Sequence, residues 1–558
     1  MIISIIGMGP RGCSLLERII TYTINHNLQN KIKIILFEKS VEFGSGSHPT
    51  HTPEHLLLNT IAGQMTMFWG DEMSKFGPIH DGPTFFDWYY NNKTKMVKPT
   101  DYLSRKSLGE YLSYFYKEQI KRLIKNEISF LEVSDEVIDI VESNDITDII
   151  TTSELYKSNT IAICTGHQKS PSPNIGFNES FINDIPAQHN VVIKGMGLTS
   201  FDIISQLTEG RGGNFVSENN KPLKYIASGK EPKLYLYSRT GLFLSSRSHN
   251  AHPDFVYQAK FFTIAAIDKL RSNKELLDFE EDVLPLLIKE LKCAYYSRSN
   301  GQQLDVRSFF AQEKRLDISS RQTFIDSFND YLSWDVKESL IGKFNSPYKF
   351  CQDTIRDLRD TIRYAVDFKG LTEESHQTFI NKWQPRMNRI CVGPPYIRLM
   401  QLQALIKAGI CSVDYAYNPS IEKQGDKYKM TCSYINESIE IIFDTHIEAQ
   451  TPSLDYNKSQ DFFIQSLTKK YKIFNNGDFI YGGLEIDKKH NIKSKNNKSN
   501  INIYALGLAC EGSKYFTLVL GRPNIISTFL FDSNLVANDI IEKLKNSLRN
   551  KNQKTNTV

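Results

Sequence analysis

The sequence lacks the cysteine and histidine patterns of redox pairs and metal sites. Its eight cysteines are scattered, with no C-x-x-C pair and no Cys/His cluster at ligand spacing. This absence argues against a disulfide reductase, which needs a redox-active cysteine pair, and indicates buried thiols in a reducing compartment. His48, His51 and His55 lie close together, but no cysteine or aspartate accompanies them at ligand spacing, so we interpret them as loop histidines.

Long apolar runs and an excess of either charge are also absent. No stretch of roughly eighteen apolar residues occurs, so no membrane-spanning segment is predicted. The 67 Lys and Arg residues against 63 Asp and Glu leave a net charge of +4, which indicates neither nucleic acid nor a membrane surface as a partner. The first predicted strand begins at residue 2, where a cleaved signal peptide would remove it, so we expect a cytoplasmic protein. The composition is compatible with an oligomer.

A glycine-rich turn opens the chain. Residues 2–6 form a short β-branched run typical of a buried parallel strand, and a helical pattern begins near Ser14. The intervening glycines have G-x-G-x-x-G spacing, which permits a tight turn, close approach of a pyrophosphate and close packing of helix on strand. Backbone N–H groups and the helix dipole then hold the phosphates. The dinucleotide-binding residues predicted in this turn are Gly7, Gly9, Pro10, Arg11 and Gly12.

The next predicted strand, residues 31–37, ends in an acidic residue, Glu38, which Lys39 follows. A carboxylate at this place accepts hydrogen bonds from a ribose 2′-OH. It favours FAD or NAD and argues against the 2′-phosphate of NADP. A glycine turn without a ligand is the alternative interpretation.

Short neutral polar side chains recur among apolar ones in residues 56–69. Asn59, Gln64 and Met65 belong to this mixture, which is typical of a cofactor pocket, although an ordinary core strand with a turn has a similar composition. A buried strand at residues 160–163 leads into Gly166, where backbone can again run close to a ligand.

A second strand–glycine–helix unit begins at residue 190. Gly195, Gly197 and Ser200 repeat the spacing, with serine in the third place. The following strand, residues 233–237, ends in Ser238 and Arg239 instead of an acid. A guanidinium and a hydroxyl suit a 2′-phosphate, so this site is predicted to bind NADPH, with a surface arginine as the alternative.

Together these motifs resemble the bacterial FAD/NAD(P)-binding protein family, a branch related to flavin-dependent monooxygenases. The resemblance extends from residue 2 to about residue 540 and rests on residues 7–18, 57–65, 195–202, 207–213, 393–395 and 505–512. It implies that FAD binds at the first glycine turn and Glu38, with residues 59–65 and Gly507 to Glu511 closing around its other end. It implies NADPH at the second turn and Arg239. The F-x-G-x-x-x-H-x-x-x-W fingerprint of Baeyer–Villiger enzymes is absent.

The resulting expectation is an α/β fold with two dinucleotide-binding, Rossmann-like domains and a mainly helical insertion. The expected divisions are an FAD-binding domain at 1–180, an NAD(P)-binding domain at 186–250, a helical insertion over the cleft at 251–400, a returning C-terminal part at 401–545, and a disordered tail at 546–558.

The resemblance implies an NADPH-dependent flavin monooxygenase that uses O₂ to N-hydroxylate a small amine or amino acid. Asn59 and Gln64 are the first candidates for hydrogen bonds at the reactive edge of the flavin. Arg247, His249 and Arg398 could bind a substrate carboxylate, although structural or surface roles are more usual for such residues. The alternatives are a flavin oxidoreductase that transfers hydride from NADPH without inserting oxygen, and a non-catalytic flavin-binding protein.

Overall fold

A computed structural model describes residues 1–143, 146–168, 172–217, 222–250, 252–450, 454–477, 479–496 and 498–555. The strands are β1 (Ile2–Ile6), β2 (Lys33–Phe37), β3 (Ser129–Val133), β4 (Val137–Ser143), β5 (Ile146–Thr151), β6 (Leu155–Ser158), β7 (Thr160–Ile163), β8 (Asn190–Lys194), β9 (Asn214–Val216), β10 (Lys224–Ile226), β11 (Lys233–Tyr237), β12 (Cys411–Ser412), β13 (Ser420–Gln424), β14 (Lys427–Ser433), β15 (Ser438–Phe443), β16 (Thr445–Glu448), β17 (Ile473–Asn476), β18 (Phe479–Leu484), β19 (Asn491–Lys493) and β20 (Ser499–Ala505).

Helices connect and cover these strands. They are α1 (Pro10–Asn25), α2 (Phe85–Asn92), α3 (Arg105–Lys125), α4 (Glu179–Asn183), α5 (Leu198–Leu207), α6 (Ile264–Arg271), α7 (Leu284–Tyr296), α8 (Val306–Phe310), α9 (Arg321–Leu340), α10 (Pro347–Asp357), α11 (Arg359–Val366), α12 (Glu373–Thr378), α13 (Gln384–Cys391), α14 (Tyr396–Lys407), α15 (Phe462–Lys470) and α16 (Thr528–Thr555).

Two largely parallel sheets confirm the predicted α/β class. The first has the order β19-β20-β7-β1-β2-β3, in which only the edge strand β19 runs antiparallel to its neighbour. Strand order reverses at β1, which pairs with β2 on one side and β7 on the other. A crevice forms where neighbouring connections leave a parallel sheet in opposite directions, so the fold itself places a ligand site beside Gly7.

The second sheet, β12-β11-β8-β16, repeats this arrangement with four parallel strands. Its central strand β8 leads into the second glycine turn, at Gly195. Between β11 and β12 the chain forms the helices α6 to α14, which we call the helical region. The late strands β16 and β20 return to the second and first sheets respectively.

The helix boundaries follow local signals in the sequence. Helix α9 lies in the predicted helical insertion, and Ser320 caps its first turn together with Thr323. Helices α10 and α11 are separate because Leu358 between them leaves helical geometry at ψ 2°. Helix α16 continues to Thr555, into the stretch from 546 that was expected to be a disordered tail, and residues 556–558 lie outside the described part.

Two absences in the sequence have structural counterparts. Seven of the eight cysteines are buried, Cys293 is half-buried, and all are free thiols. None of the helices within the described ranges combines the length and the apolar composition that crossing a bilayer requires.

His376 on α12 makes the stability of the fold depend on pH. Asn476 Nδ2 lies 2.9 Å from His376 Nδ1 and donates to it only while that nitrogen is unprotonated. Burial, assisted by the charge of Lys369, lowers the pKa of His376 to about 4. The unfolded chain binds this proton near pH 6.5, so stability from the neutral histidine is present above pH 6.5 and is lost as the pH falls toward 4.

We therefore expect the free energy of unfolding to decrease by on the order of 3 kcal/mol between pH 7 and pH 4 through this residue. Urea unfolding at the two pH values measures the loss. The His376→Gln variant keeps an acceptor for Asn476 and should show a smaller decrease over the same interval. An equal decrease in both proteins would contradict this assignment.

Candidate functional site

One large cavity lies at the carboxyl ends of the first sheet. Its volume is about 1010 Å³, which is enough for part of a dinucleotide cofactor together with a small substrate. It extends from the glycine turn after β1 to the helical region. The predicted cofactor-binding residues that line it are Gly7, Gly9, Pro10, Arg11, Glu38, Lys39, Asn59, Gln64, Met65, Gly166 and Gly507.

The first glycine turn is built so that only glycine fits at two of its positions. Gly7 has φ +94°, and an added Cβ would lie 2.9 Å from the carbonyl oxygen of Cys164. At Gly12 an added Cβ would lie 2.2 Å from the carbonyl oxygen of Gly7. Gly9 has no such contact, the nearest atom being the Cα of Gly46 at 3.3 Å, so it borders the cavity and leaves room for a ligand. Gly12 therefore shapes the turn without lining the cavity.

Glu38 and Lys39 stand at the end of β2 beside this turn. Glu38 Oε2 accepts a hydrogen bond from the Met8 N–H at 2.9 Å, which ties the acid to the glycine turn. Lys39 pairs with Glu136 at 3.7 Å across the rim of the cavity. The acid is thus placed at the tip of the neighbouring strand, where a ribose hydroxyl approaches in dinucleotide-binding folds.

Several buried polar atoms along the cavity have no hydrogen-bond partner among the described residues. They are Arg11 Nε, His48 Nδ1, Arg105 Nε, Thr165 Oγ1, Gln168 Nε2 and Arg356 Nη1. Buried polar side-chain atoms in native proteins nearly always have a partner. Together with the open surface at Gly9, these donors and acceptors fit a large polar group such as FAD.

Gln64 is held firmly in place between two parts of the chain. It is only 3 % exposed, its Nε2 donates to the Pro253 carbonyl at 2.9 Å, and its Oε1 accepts from Arg356. Asn59 also lines the cavity, and its backbone carbonyl oxygen accepts a hydrogen bond from Arg247 Nη1 at 3.2 Å. Both candidates for the reactive edge therefore contact arginines that come from distant parts of the chain.

These arginines belong to a larger set that sequence reasoning largely missed. Arginine side chains from the helical region, from the loop before it and from the segment before α16 line the cavity. They are Arg247, Arg356, Arg359, Arg363 and Arg522. Of these arginines, only Arg247 is identified from the sequence, as one of three residues that could bind a substrate carboxylate. The others lie on α10, on α11 and in the segment before α16, without a motif that marks them.

The charges around Asp353 do not balance. Arg247 and Arg356 lie 3.5 and 3.6 Å from its carboxylate, and Lys343 lies at 2.7 Å. Burial alone would raise the pKa of Asp353, but Lys343 and Arg247 outweigh this and hold it below its ordinary value. Asp357 is a second carboxylate close to Asp353, and Arg522 pairs with it. Two carboxylates thus face four cations, and this end of the cavity carries net positive charge.

Arg359 adds a further positive charge to this wall. Its guanidinium lies 4.1 Å from the centre of the Phe516 ring and donates to Cys391 Sγ at 3.4 Å. No carboxylate pairs with it among the described residues, in contrast to Arg522, which lies 2.6 Å from Asp357. Arg359 is therefore free to bind an anion.

His48 differs from a simple loop histidine. It lies in the loop after Gly46, as predicted, but its ring lines the cavity. Burial, with a smaller contribution from the neighbouring Arg105, lowers its pKa to about 4, so the ring is neutral at physiological pH. His55 instead contacts Gln206 Oε1 at 2.8 Å. No cluster of metal-ligating side chains occurs in the described part of the chain.

The second predicted nucleotide site lies beside this cavity. Gly195 has φ +105°, and Ser200 Oγ donates to the Gly197 carbonyl at 2.7 Å, which closes the turn at the start of α5. Only Leu198 and Thr199 of this unit line the cavity. Ser238 and Arg239 follow β11, the neighbouring strand of β8, and Arg239 is exposed. Arg239 thus follows β11 as Glu38 follows β2, with arginine in place of the acid.

Three other predicted residues do not line the cavity. The carboxylate of Glu511 accepts from the N–H groups of Phe516 and Thr517 at 2.8 Å each, and so supports the loop 516–520, which does line it. Arg398 is buried and pairs with Glu209 at 3.0 Å. His249 is held through its backbone by Ser339 and Lys343.

Known proteins share similarity with this chain over part or nearly all of its length. A model described as FAD-NAD(P)-binding matches residues 4–168. A nitrosuccinic acid synthase of Aspergillus oryzae is 25% identical over 96% of this chain and 92% of its own length. An L-aspartate N-monooxygenase (nitrosuccinate-forming) of Streptomyces davaonensis is 24% identical over 96% of both chains.

Among solved structures, ornithine hydroxylase from Pseudomonas aeruginosa matches with a TM-score of 0.48 and 10% identity over 97% of this chain and 99% of its own. L-lysine 6-monooxygenase from Pseudomonas syringae matches with a TM-score of 0.46 and 13% identity over 98% of this chain and 99% of its own. The predicted family resemblance and the predicted FAD and NADP cofactors are confirmed. Residues 4–168 thus match the FAD-NAD(P)-binding family model, and 96% of the chain aligns with relatives named L-aspartate N-monooxygenase or nitrosuccinic acid synthase.

Proposed function

We propose that this protein is an FAD- and NADPH-dependent monooxygenase that N-hydroxylates a small acidic amino acid, with L-aspartate as substrate. Further oxidations of the same nitrogen, each consuming NADPH and O₂, then lead to nitrosuccinate as end product. The relatives bear out the predicted N-hydroxylating chemistry, and their names supply the candidate substrate. The observation that carries the proposal is the single cavity that joins the first glycine turn to the arginine wall formed by Arg247, Arg356 and Arg359.

The arginine wall suits a dicarboxylate. Guanidinium groups bind carboxylates through paired, charge-assisted hydrogen bonds, which are stronger than neutral ones. Three cations around Asp353, together with Arg359, leave an excess of positive charge for an incoming anion. A cationic side chain, such as that of lysine or ornithine, would be repelled by the same wall.

The residues of the chain bind and orient, while FAD reduced by NADPH supplies the oxygen-transfer chemistry when bound. The glycine turn and Glu38 hold the dinucleotide, and Gln64 is fixed by Pro253 and Arg356 so that its amide keeps one orientation. The arginines hold the substrate carboxylates and thereby direct its amine. That amine reacts through its lone pair, and the surrounding positive charge favours its unprotonated form. Burial of the cavity by the helical region excludes water.

The test uses purified protein loaded with FAD, with NADPH and oxygen in solution. L-Aspartate, L-glutamate, L-lysine and L-ornithine are added separately, and NADPH oxidation, O₂ uptake and N-oxygenated products are measured by absorbance, electrode and mass spectrometry. We expect L-aspartate to stimulate coupled NADPH oxidation and O₂ uptake at least tenfold. Reduction of the flavin without any N-oxygenated product would favour a hydride-transferring oxidoreductase. Bound flavin that NADPH does not reduce would favour a non-catalytic protein.

Arg239 is expected to determine the preference for NADPH over NADH. A charge-assisted hydrogen bond to the 2′-phosphate contributes roughly 1.5–3 kcal/mol, so Arg239→Ala should raise the KM for NADPH at least tenfold and leave that for NADH unchanged. Steady-state kinetics with the two cofactors measure this difference. Lys224→Ala removes an exposed positive charge from β10 in the same part of the chain and serves as the control. An equal increase in the KM for NADPH and the KM for NADH would contradict the role of Arg239.

A further inference from the structure

A buried ion pair lies outside the cavity and directly behind Arg247. Asp335 of α9 and Lys349 of α10 are 0 % and 2 % exposed, and Lys349 Nζ lies 2.8 Å from Asp335 Oδ2. Burying two charges has a large desolvation cost, which an ion pair repays only with additional hydrogen bonds. The partners of those additional bonds show what the pair holds in place.

Both charges are directed at the same short stretch, residues 244–248, which we call the Arg247 segment. Asp335 accepts from the Ser246 N–H at 3.0 Å and from the hydroxyls of Ser245 and Ser246. Lys349 Nζ donates to the Ser246 carbonyl at 2.9 Å and to Ser245 Oγ at 3.1 Å. The pair therefore bonds to the N–H and carbonyl of Ser246 and to the hydroxyls of Ser245 and Ser246. These hydroxyls also contact Gln352 Nε2 and Ser339 Oγ respectively, at 2.7 Å each.

The Arg247 segment has no regular secondary structure of its own. Away from Ser246 its backbone has other attachments. The N–H groups of Leu244 and Ser245 donate to the carbonyls of Met196 and Arg389 at 3.2 and 2.9 Å. The Arg247 N–H donates to the Pro394 carbonyl at 2.7 Å, its carbonyl accepts from the Tyr396 N–H at 3.1 Å, and the Ser248 carbonyl accepts from the Tyr102 hydroxyl at 3.5 Å. From this segment the Arg247 side chain donates to the backbone carbonyl of Asn59, which lies between β2 and α2. It also lies close to the carboxylate of Asp353, beside the arginine wall. The position of its guanidinium thus depends on how firmly the segment is held.

We propose that Asp335 and Lys349 are positioning residues that fix the Arg247 segment and so place the Arg247 guanidinium for binding a substrate carboxylate. This inference rests on the proposed function for the identity of the substrate. Neither residue lines the cavity, so neither contacts substrate or cofactor directly. Their effect on substrate binding passes through Arg247.

The kinetic test compares Asp335→Asn with the gentler Ser246→Ala in FAD-loaded protein. We expect Asp335→Asn to raise the KM for L-aspartate about tenfold and Ser246→Ala to raise it less, with the KM for NADPH and the flavin content unchanged. Glu290→Gln is the matched control, because Glu290 is also fully buried in the helical region and bonds to residues 257 and 260–262 instead of the Arg247 segment.

A double-mutant cycle separates positioning from general destabilisation. In the Arg247→Ala background, Asp335→Asn should change the KM for L-aspartate by less than twofold, because the group it positions is already absent. An undiminished tenfold effect in that background would overturn the proposal. If Asp335→Asn does not fold, Ser246→Ala in the same cycle decides the question.

Hydrogen–deuterium exchange gives a readout that does not require activity. Amides of residues 244–248 should exchange at least tenfold faster in Asp335→Asn and faster in Ser246→Ala, with no change in Glu290→Gln. Unchanged exchange, or faster exchange with an unchanged KM, would overturn the proposal. If L-aspartate does not stimulate NADPH oxidation by the wild-type protein, the proposed function is refuted instead. The exchange result would still decide whether the ion pair fixes the Arg247 segment.

Discussion

Replacing Arg247 with alanine is expected to raise the KM for L-aspartate roughly 30-fold, while the KM for NADPH and the flavin content stay unchanged. The expectation follows from about 2 kcal/mol for a charge-assisted hydrogen bond to a carboxylate. Arg247 suits this role because it reaches the cavity wall between Asn59 and Asp353. Steady-state kinetics with L-aspartate as the varied substrate measure the change.

The control for charge is Arg386→Ala. Arg386 is another arginine of the helical region with a carboxylate partner, Glu313 at 3.8 Å, but it does not line the cavity. Its loss should leave the KM for L-aspartate within twofold of the wild-type value. If both variants behave alike, the arginine wall does not bind substrate. If Arg247→Ala lowers kcat alone, the residue acts after binding.

The second large effect is expected from Gly12→Ala. The added methyl group would meet the Gly7 carbonyl oxygen at 2.2 Å, and that oxygen belongs to backbone that cannot move without opening the turn. Overpacking of this kind costs about 1–3 kcal/mol and shifts the surrounding backbone. Because this turn is the predicted site of the dinucleotide phosphates, we expect purified Gly12→Ala to contain less than a tenth of the wild-type flavin, as measured by absorbance.

Gly197→Ala is the matched change in the second glycine turn. An added Cβ there would meet only the Leu244 side chain, at 3.7 Å, so the fold should tolerate it. This variant should keep its flavin and show a raised KM for NADPH. Normal flavin content in Gly12→Ala would contradict the assignment of the first turn. Loss of flavin in Gly197→Ala would contradict the division of the two cofactors between the two turns.

The parts that could be predicted from the sequence are those in which neighbouring residues form the feature. A strand, a glycine turn and a helix follow one another within about twenty residues in α/β nucleotide-binding units, and their spacing carries the geometry of Gly7 and Gly195. The acid or arginine that follows the next strand is equally local. For this reason Glu38 and Arg239 could be assigned opposite preferences before the fold was known.

The arginine wall could not be predicted in this way. Arg247, Arg356 and Arg359 come from a loop and two helices, and arginine on a helix surface is common in any protein. Arg398 and Arg247 could not be distinguished from the sequence. The fold buries Arg398 against Glu209. It places Arg247 next to Asn59, a residue that lies 188 positions before it in the chain.

The pairing of β20 with β7 has a consequence for synthesis of the protein. The first sheet begins at Ile2 but receives strand β20 only at residues 499–505, and Arg11 of α1 lies against Phe529 and Asp532 of α16. On the ribosome, the first nucleotide site therefore stays incomplete until nearly the whole chain has emerged. Contacts so distant in sequence slow folding, because the loop between them must close first. We accordingly expect flavin to bind only once synthesis of the chain is nearly complete.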